Sequence, residues 1–346
     1  MPMQRTPIVE EDICFVLVVC RDELQALSGK TLLLTGGSGF VGSYLVESII
    51  AFNQALDGAP CRLLLPTRSL AATQAKWPHF FGIENVIWFE WDGCELNPPG
   101  VGCDYIIHAA SPTDTAVFMR NAYGTMQDIV HTTEHVLAYA KRINVSALLF
   151  LSSGAVYGAQ PATLEAIPET YFGGPDLTDA RSCYGEAKRY AELLCHLSGV
   201  PTVVARLFAF VGPHQDLTSS YAMTDFIRQA KQTGRIRIQS DGSALRTYCY
   251  ASDLTNALWK LLLKGSPNET YNVGSDAPVV SILELANLVG EIVGNVSVEV
   301  MKKDNSTGNN RSRYVPDITK LKKIYSQQIS LAQGISRTIQ SYYGTS

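Results

Sequence analysis

Tyr184 and Lys188 stand four residues apart in Tyr184-Gly185-Glu186-Ala187-Lys188, and Ser153 lies thirty-one residues before the tyrosine. On a helix, positions i and i+4 share a face, so an ammonium at 188 can sit beneath a phenol at 184. A cation there stabilises phenolate and draws a tyrosine down from about 10 towards a working pH. A serine hydroxyl at a neighbouring strand end can hold the oxygen whose proton the tyrosine takes or gives. The three residues read as a proton-transfer set: Tyr184 as acid and base, Lys188 as its cation, Ser153 as the hydroxyl on the substrate.

The chain also carries a place for a dinucleotide. Lys30-Thr31-Leu32-Leu33-Leu34-Thr35 has strand length and is followed by Gly36-Gly37-Ser38-Gly39-Phe40-Val41-Gly42, then by a helical pattern from Ser43 to Ile50. Strand, glycine turn and helix is the order that a dinucleotide fingerprint requires. Gly36 permits the tight turn, Gly39 lets backbone approach the pyrophosphate, and Gly42 lets helix and strand pack closely; the helix N-terminus then faces the phosphates. Ser38, Phe40 and Val41 belong to the same cradle. The second strand ends in Pro66-Thr67-Arg68-Ser69 without an acid, and an arginine there suits a 2'-phosphate. NAD(P) is therefore the expected cofactor, with NADP slightly favoured.

Gly-x-x-Gly-x-x-Gly, together with Ser153, Tyr184 and Lys188, resembles the extended short-chain dehydrogenase/reductase family, whose NAD-dependent epimerases and dehydratases act on nucleotide sugars. The resemblance runs over roughly residues 29 to 330. It includes Asp92-Gly93, His108-Ala109-Ala110-Ser111, Asn121-Ala122-Tyr123-Gly124-Thr125, Leu151 to Gly158, Arg206 to Pro213, Arg246 to Asp253 and Tyr271-Asn272-Val273-Gly274. It implies that Asp92, Gly93, Ala109, Ala110, Ser111 and Asn121 line the cofactor, with Asp92 near the adenine. It also implies a nucleotide-diphosphate sugar as substrate and a homodimer built on the helices near 115–143 and at Tyr184. Ser111 and Ser153 would touch the sugar. Arg246 and Arg313 are the expected pyrophosphate clamps, because arginine forks match phosphate oxygens. Ala209 stands where many relatives have an asparagine that donates to substrate phosphate.

The elements that must position these residues follow from periodicity. Strand-like runs at 31–35, 62–66, 86–90, 104–108, 147–152 and 202–206 alternate with helical stretches, which predicts a Rossmann-like doubly wound parallel sheet. Short strands near 236–239, 247–250 and 270–273 with helices near 219–233, 253–264 and 281–293 predict a smaller C-terminal α/β lobe. The division is a helical extension over 1–28, a dinucleotide-binding domain over 29–206, and a mainly substrate-binding lobe over 207–346, with the chain interleaved between the lobes. Pro161 to Pro175 reads as an irregular loop near the site.

With 346 residues and 46% hydrophobic content, a large core is available. A net charge of −4 argues against a nucleic-acid partner. Eight cysteines without Cys-x-x-Cys or Cys/His spacing read as reduced thiols of a cytoplasmic protein, with no metal site. In such a protein the Asn-x-Ser/Thr triplets at Asn144, Asn268, Asn295 and Asn305 carry no weight. Ile13 to Cys20 is apolar but eight residues long and acid-flanked, so it reads as a helix packed on the domain, or across a subunit contact, rather than a membrane span or signal sequence.

Within the resembled family, dehydratases carry Asp-Glu directly after the catalytic hydroxyl, and nucleotide-glucuronate decarboxylases keep a Glu at the second position. Here Gly154-Ala155 follows Ser153, and neither can move a proton. The expectation is hydride transfer at C4 of a nucleotide-linked sugar, by a 4-epimerase or a 4-keto reductase. Pieces such as His108 to Pro112 and Cys183 to Arg189 are nearer the decarboxylase branch, so a 4,6-dehydratase or UDP-glucuronate decarboxylase-like enzyme is the alternative. A non-catalytic dinucleotide sensor is a remote one, since such proteins typically lose the tyrosine or lysine.

Overall fold

A computed structural model describes residues 3, 5–55, 58–100, 102–302 and 312–344. Asn305 lies outside the described residues. In chain order the strands are β1 (Thr31–Thr35), β2 (Arg62–Thr67), β3 (Val86–Glu90), β4 (Tyr105–His108), β5 (Ala147–Ser153), β6 (Thr202–Leu207) and β7 (Phe210–Val211). There follow β8 (Arg235–Ile238), β9 (Leu245–Arg246), β10 (Cys249–Tyr250), β11 (Thr270–Val273), β12 (Val280–Ser281), β13 (Ser297–Val300) and β14 (Arg313–Tyr314). The helices are α1 (Pro7–Val19), α2 (Arg21–Ala26), α3 (Phe40–Ala55), α4 (Leu70–Lys76), α5 (Thr115–Phe118) and α6 (Ala122–Arg142). Further on come α7 (Cys183–Leu197), α8 (Ala222–Thr233), α9 (Ala251–Lys264), α10 (Ile282–Val293), α11 (Thr319–Lys322) and α12 (Leu331–Tyr343).

Leu-rich strands without polar alternation have to be covered on both faces, which is the condition of a parallel sheet. Seven strands meet that condition, in the order β11-β6-β5-β4-β1-β2-β3, with every neighbouring pair parallel. Successive side chains take opposite faces. Leu32 and Leu34 pack with Leu45 and Ile49 of α3 and Leu254 and Leu258 of α9, whereas Leu33 packs with Ile129 and Val136 of α6 and Ala187 and Ala191 of α7. The strand order reverses between β1 and β4, which is where the carboxyl ends of an open sheet leave a ligand crevice.

Two expected features are corrected. The strand at 270–273 and the helix after 251, assigned to the smaller lobe, belong to the large sheet: β11 pairs with β6, and α9 covers one sheet face through Leu258, Trp259 and Leu261. The burial of Tyr271 and Val273 in that same core holds β11 against the β6 edge. The helix expected across 115–143 is broken, because the Asn121 side chain accepts the Gly124 N–H at 3.0 Å and starts α6 afresh. What remains as a separate lobe is the core of α8, α10 and α12 around Phe226, Ile227, Leu285, Val289 and Ile335, edged by the β8–β13 pair and the β12-β9-β14 sheet.

Before the sheet, Thr6 caps α1 and Pro7 opens it. Val9 and Ile13 bury against Tyr44 and Ala51 of α3 and Ala251 of α9. Asp12, 1% exposed, accepts from the hydroxyls of Tyr44 (2.9 Å) and Tyr250 (2.7 Å) and from Arg337 (2.8 Å). Burial pushes its carboxyl up, and the Tyr250, Arg337 and Tyr44 contacts work against that. Glu23 of α2, equally buried, pairs with Lys260 at 3.1 Å and with Lys264. All eight cysteines are free, and six are buried. No helix among the described residues is long and apolar enough to cross a membrane.

Asp12 therefore ties the extension to both the sheet helices and the smaller lobe. Asp12→Ala leaves two buried phenols without their acceptor and leaves Arg337 only the exposed Glu11 and the Ile8 carbonyl, and breaking such a buried pair costs about 3–5 kcal/mol. Urea unfolding should show a loss of that order; a loss below about 1 kcal/mol would mean that the extension is not held this way.

Candidate active site

The turn after β1 is built by glycines that nothing larger could replace. Gly36 has φ +76°, and a Cβ there would stand 2.7 Å from the Ala109 carbonyl carbon. A Cβ on Gly42 would stand 2.1 Å from the Gly36 oxygen, so α3 can begin directly over the end of β1 only with glycine at 42. Gly39 is exposed between them. The Ser38 carbonyl is fixed by Lys76 Nζ and Trp77 Nε1, each donating at 2.9 Å, and Phe40 stacks on Phe210 with centroids 5.3 Å apart. Thr35 Oγ1 accepts the N–H groups of Ala109 and Ala110, both at 3.1 Å, which ties the turn to the end of β4. Val41 packs at the edge of the core behind the turn. A short glycine cradle at the head of a sixteen-residue helix fits a dinucleotide pyrophosphate.

Around this cradle the other expected cofactor residues are placed as follows. Arg68 is exposed just past β2 and makes no hydrogen bond or ion pair among the described residues. Asp92, past β3, is exposed and accepts the Cys94 N–H at 2.9 Å; Gly93 beside it has φ +94°. The Asn121 side chain is engaged as the α6 cap described above. Ser111 Oγ donates to the Pro112 carbonyl at 3.3 Å, and the serine draws the Tyr184 phenol down.

Ser153 ends β5, and its Oγ accepts the Ala155 N–H at 3.1 Å. Tyr184 lies in the first turn of α7, with its ring stacked on Phe118 at 5.5 Å and 9° and with Ser153 drawing its phenol down. Lys188, one turn on, is 2% exposed; Nζ donates to the Leu151 carbonyl at 2.8 Å and lies 4.8 Å from the Phe150 ring centre. The expected lowering of Tyr184 by Lys188 is not what this arrangement produces. Burial pushes Tyr184 up, the neighbouring Tyr314 adds to that, and Ser153 and Ser111 pull it back. Lys188 is itself pushed down to about 8 by burial, its ammonium turned to a strand carbonyl. His108, held between Thr35 (2.8 Å) and Thr133 (3.2 Å), is driven down to about 3 and stays neutral.

Of the two expected clamps, Arg246 joins the site and Arg313 does not. Residues pairing across β9 and β14 put Tyr314 beside Arg246, whose guanidinium lies 5.9 Å from the Tyr314 ring; strand alternation sends Arg313 to the other face. Arg246 donates to the Leu245 carbonyl at 2.8 Å and to the Ser312 carbonyl at 3.3 Å. Tyr314 and Tyr221 both act on the Tyr184 phenol, and neither was singled out from the sequence; only the β9–β14 register brings Tyr314 in. On the 161–182 loop, Glu169 is committed to the Asn272 N–H at 2.8 Å, and Glu165 is exposed.

Residues 32–274 match the NAD dependent epimerase/dehydratase family. UDP-glucuronic acid decarboxylase 1 of Danio rerio is 30% identical over 319 residues, which cover 90% of this chain and 72% of that protein. UDP-glucuronic acid decarboxylase 5 of Arabidopsis thaliana is 28% identical, covering 89% and 88%. Among solved structures, a UDP-glucose 4-epimerase of Thermotoga maritima with UDP-glucose has a TM-score of 0.74 at 23% identity, over 90% of this chain and 98% of that one. A dTDP-glucose 4,6-dehydratase of Streptomyces venezuelae with NAD has the same TM-score at 21%, over 90% and 96%. These structures share the fold.

Lys188 supplies a test of the buried ammonium. Its folded value of about 8 lies below its ordinary value of 10.5, so between those two pH values the unfolded chain binds more protons and wild-type stability rises with pH. Lys188→Met should therefore melt higher than wild type at pH 7, by on the order of 2 °C or more, and the gap should narrow as pH climbs from 8 towards 10.5. A variant melting below wild type at pH 7 would show that the Leu151 contact outweighs the burial.

Proposed function

Because this chain belongs to the NAD dependent epimerase/dehydratase family, we propose that it is a nucleotide-sugar enzyme exchanging hydride at C4, as a 4-epimerase or a 4-keto reductase. The observation that carries the choice is Gly154-Ala155 at the end of β5, beside Ser153, where no side chain can move a proton. The glutamates of the nearby loop do not make up for it, since Glu169 holds the Asn272 backbone and Glu165 is exposed.

In this reading Ser153 holds the C4 oxygen, and Tyr184 takes its proton during oxidation and returns it during reduction. Bound nicotinamide would accept or supply the hydride at C4, and its positive charge when oxidised would favour the Tyr184 phenolate that burial disfavours. Lys188 keeps Tyr184 in register with β5 through the Leu151 carbonyl. Arg246 faces the substrate phosphates. Arg68 supports NADP over NAD, as the charged side chain beyond β2 that no other described residue engages.

A second reading is loss of carbon dioxide from a nucleotide-linked uronate, which the named relatives favour. Oxidation at C4 makes such a sugar a β-keto acid, and the C4 carbonyl can receive the electrons left by the departing carboxylate. A proton must then be returned at C5, and Gly154-Ala155 cannot return it.

The deciding experiment offers UDP-, dTDP-, GDP- and CDP-linked sugars, with and without 4-keto groups or C6 carboxylates, and follows products by NMR and NADPH absorbance. Inversion or reduction at C4 is expected, with Tyr184→Phe slower by about 10²-fold or more. Efficient release of water or carbon dioxide would sink the first reading.

For the cofactor, Arg68→Asp should move preference towards NAD, because a carboxylate repels a 2'-phosphate and accepts from a ribose hydroxyl. Titrating both dinucleotides against both proteins checks it. Wild type binding NAD much more tightly than NADP would remove Arg68 from the argument.

A further inference from the structure

Two segments from different parts of the molecule meet beside the crevice. One is the strap that leaves β4 through Ser111 and Pro112; the other is the turn that opens α8 of the smaller lobe. The Ser220 N–H donates to Asp114 Oδ2 at 2.9 Å, and the Ser220 hydroxyl donates to Oδ1 at 3.1 Å. The Tyr221 hydroxyl donates to the Thr113 carbonyl at 2.7 Å. Hydrogen bonds to a carboxylate are roughly twice as strong as neutral ones, so Asp114 carries most of this clasp. The turn on the lobe side is itself fixed, because Thr224 Oγ1 donates to the Tyr221 carbonyl at 2.9 Å and the Asp225 N–H to the same oxygen at 3.0 Å.

Asp114 also starts α5. Its Oδ1 accepts the Ala116 N–H at 2.8 Å, and its carbonyl accepts the Phe118 N–H at 3.1 Å. A helix of four residues does not hold itself together, so its place follows from what fixes its ends. At the far end is Phe118, 5% exposed, whose ring lies on that of Tyr184 at 5.5 Å and 9°. A stacked contact of this kind fixes the plane of the Tyr184 phenol, and with it the direction of the O–H. We propose that Asp114 is a positioning residue, the joint through which the smaller lobe's hold on the strap seats Phe118 against Tyr184. With the clasp made, the phenol has a wall on one side; with the lobe drawn away, α5 loses its fixed start and the wall loosens. Bringing the lobes together and aiming the proton carrier are then one event. The role rests on Tyr184 being the proton carrier proposed above.

Asp114→Ser keeps an oxygen that can cap α5 but removes the carboxylate that spans to Ser220. The double variant Ser220→Ala, Tyr221→Phe loosens the clasp from the lobe side and leaves the strap untouched. In protein labelled with 4-fluorophenylalanine, the 19F resonance that disappears in Phe118→Leu is that of Phe118. This resonance should move and broaden in Asp114→Ser, and move in the same direction in the double variant. On a sugar nucleotide that wild type converts, kcat of Asp114→Ser should fall about tenfold with KM changed less than about threefold. In the Phe118→Leu background, adding Asp114→Ser should cost less than about a further twofold, because the effect passes through Phe118. A Phe118 resonance unmoved in either clasp variant would overturn the role. So would a tenfold loss that survives in Phe118→Leu, an unchanged kcat, or a change confined to KM. A Phe118 resonance that follows the clasp, in a protein that converts no sugar at C4, would overturn the proposed reaction and leave the link between lobe and tyrosine in place.

Discussion

All seven strands of the main sheet run the same way, and the site depends on that one constraint. Parallel strands need crossover helices, and a crossover helix starts at the edge where its strand ended. The carboxyl edge therefore collects strand ends and helix beginnings together. The glycine turn joins β1 to α3 there, Ala109 and Ala110 follow β4, and Ser153 ends β5. α7 crosses from β5 to β6, which places its first turn, and Tyr184, beside Ser153. The spacing then matches by simple geometry. Four helix residues rise about 6 Å and two strand residues about 6.6 Å, so Lys188 meets the Leu151 carbonyl at the level where Tyr184 meets Ser153.

Burial sets the electrostatics of this edge more than charge pairing does. Tyr184 is pushed towards the phenol, Lys188 down to about 8, and His108 to about 3. Each moves towards its neutral form, as desolvation requires. Proton transfer at such a site has to come from directed hydroxyl dipoles and from the charge a bound cofactor brings. Three phenols, Tyr184, Tyr314 and Tyr221, act on one another at this edge, each pushed up by burial.

The N-terminal extension extends the same logic beyond the site. Asp12 gathers Tyr44 from α3, Tyr250 from β10 and Arg337 from α12. Tyr44 belongs to the helix whose head forms the glycine cradle, and Tyr250 and Arg337 belong to the smaller lobe. One buried carboxylate thus links the two parts between which a ligand would lie.

Much of this was legible in local sequence, because local sequence carries backbone requirements. Gly36, Gly39 and Gly42 announce a turn that side chains would obstruct, the Leu-rich runs announce strands buried on both faces, and Tyr184 with Lys188 announces one helix face. Asn121 was visible as a residue but not as a cap, so a broken helix read as continuous. Position in the sheet was less legible: the short apolar run at 270–273 looks like any strand, and only pairing with β6 makes it part of the larger domain. Arg313 and Tyr314 show the limit most clearly. Both are plausible site residues by type, and the sequence favours the arginine. Which of them faces Ser153 is decided by the register of a two-residue strand against β9, a contact across nearly seventy positions of chain that no local pattern encodes.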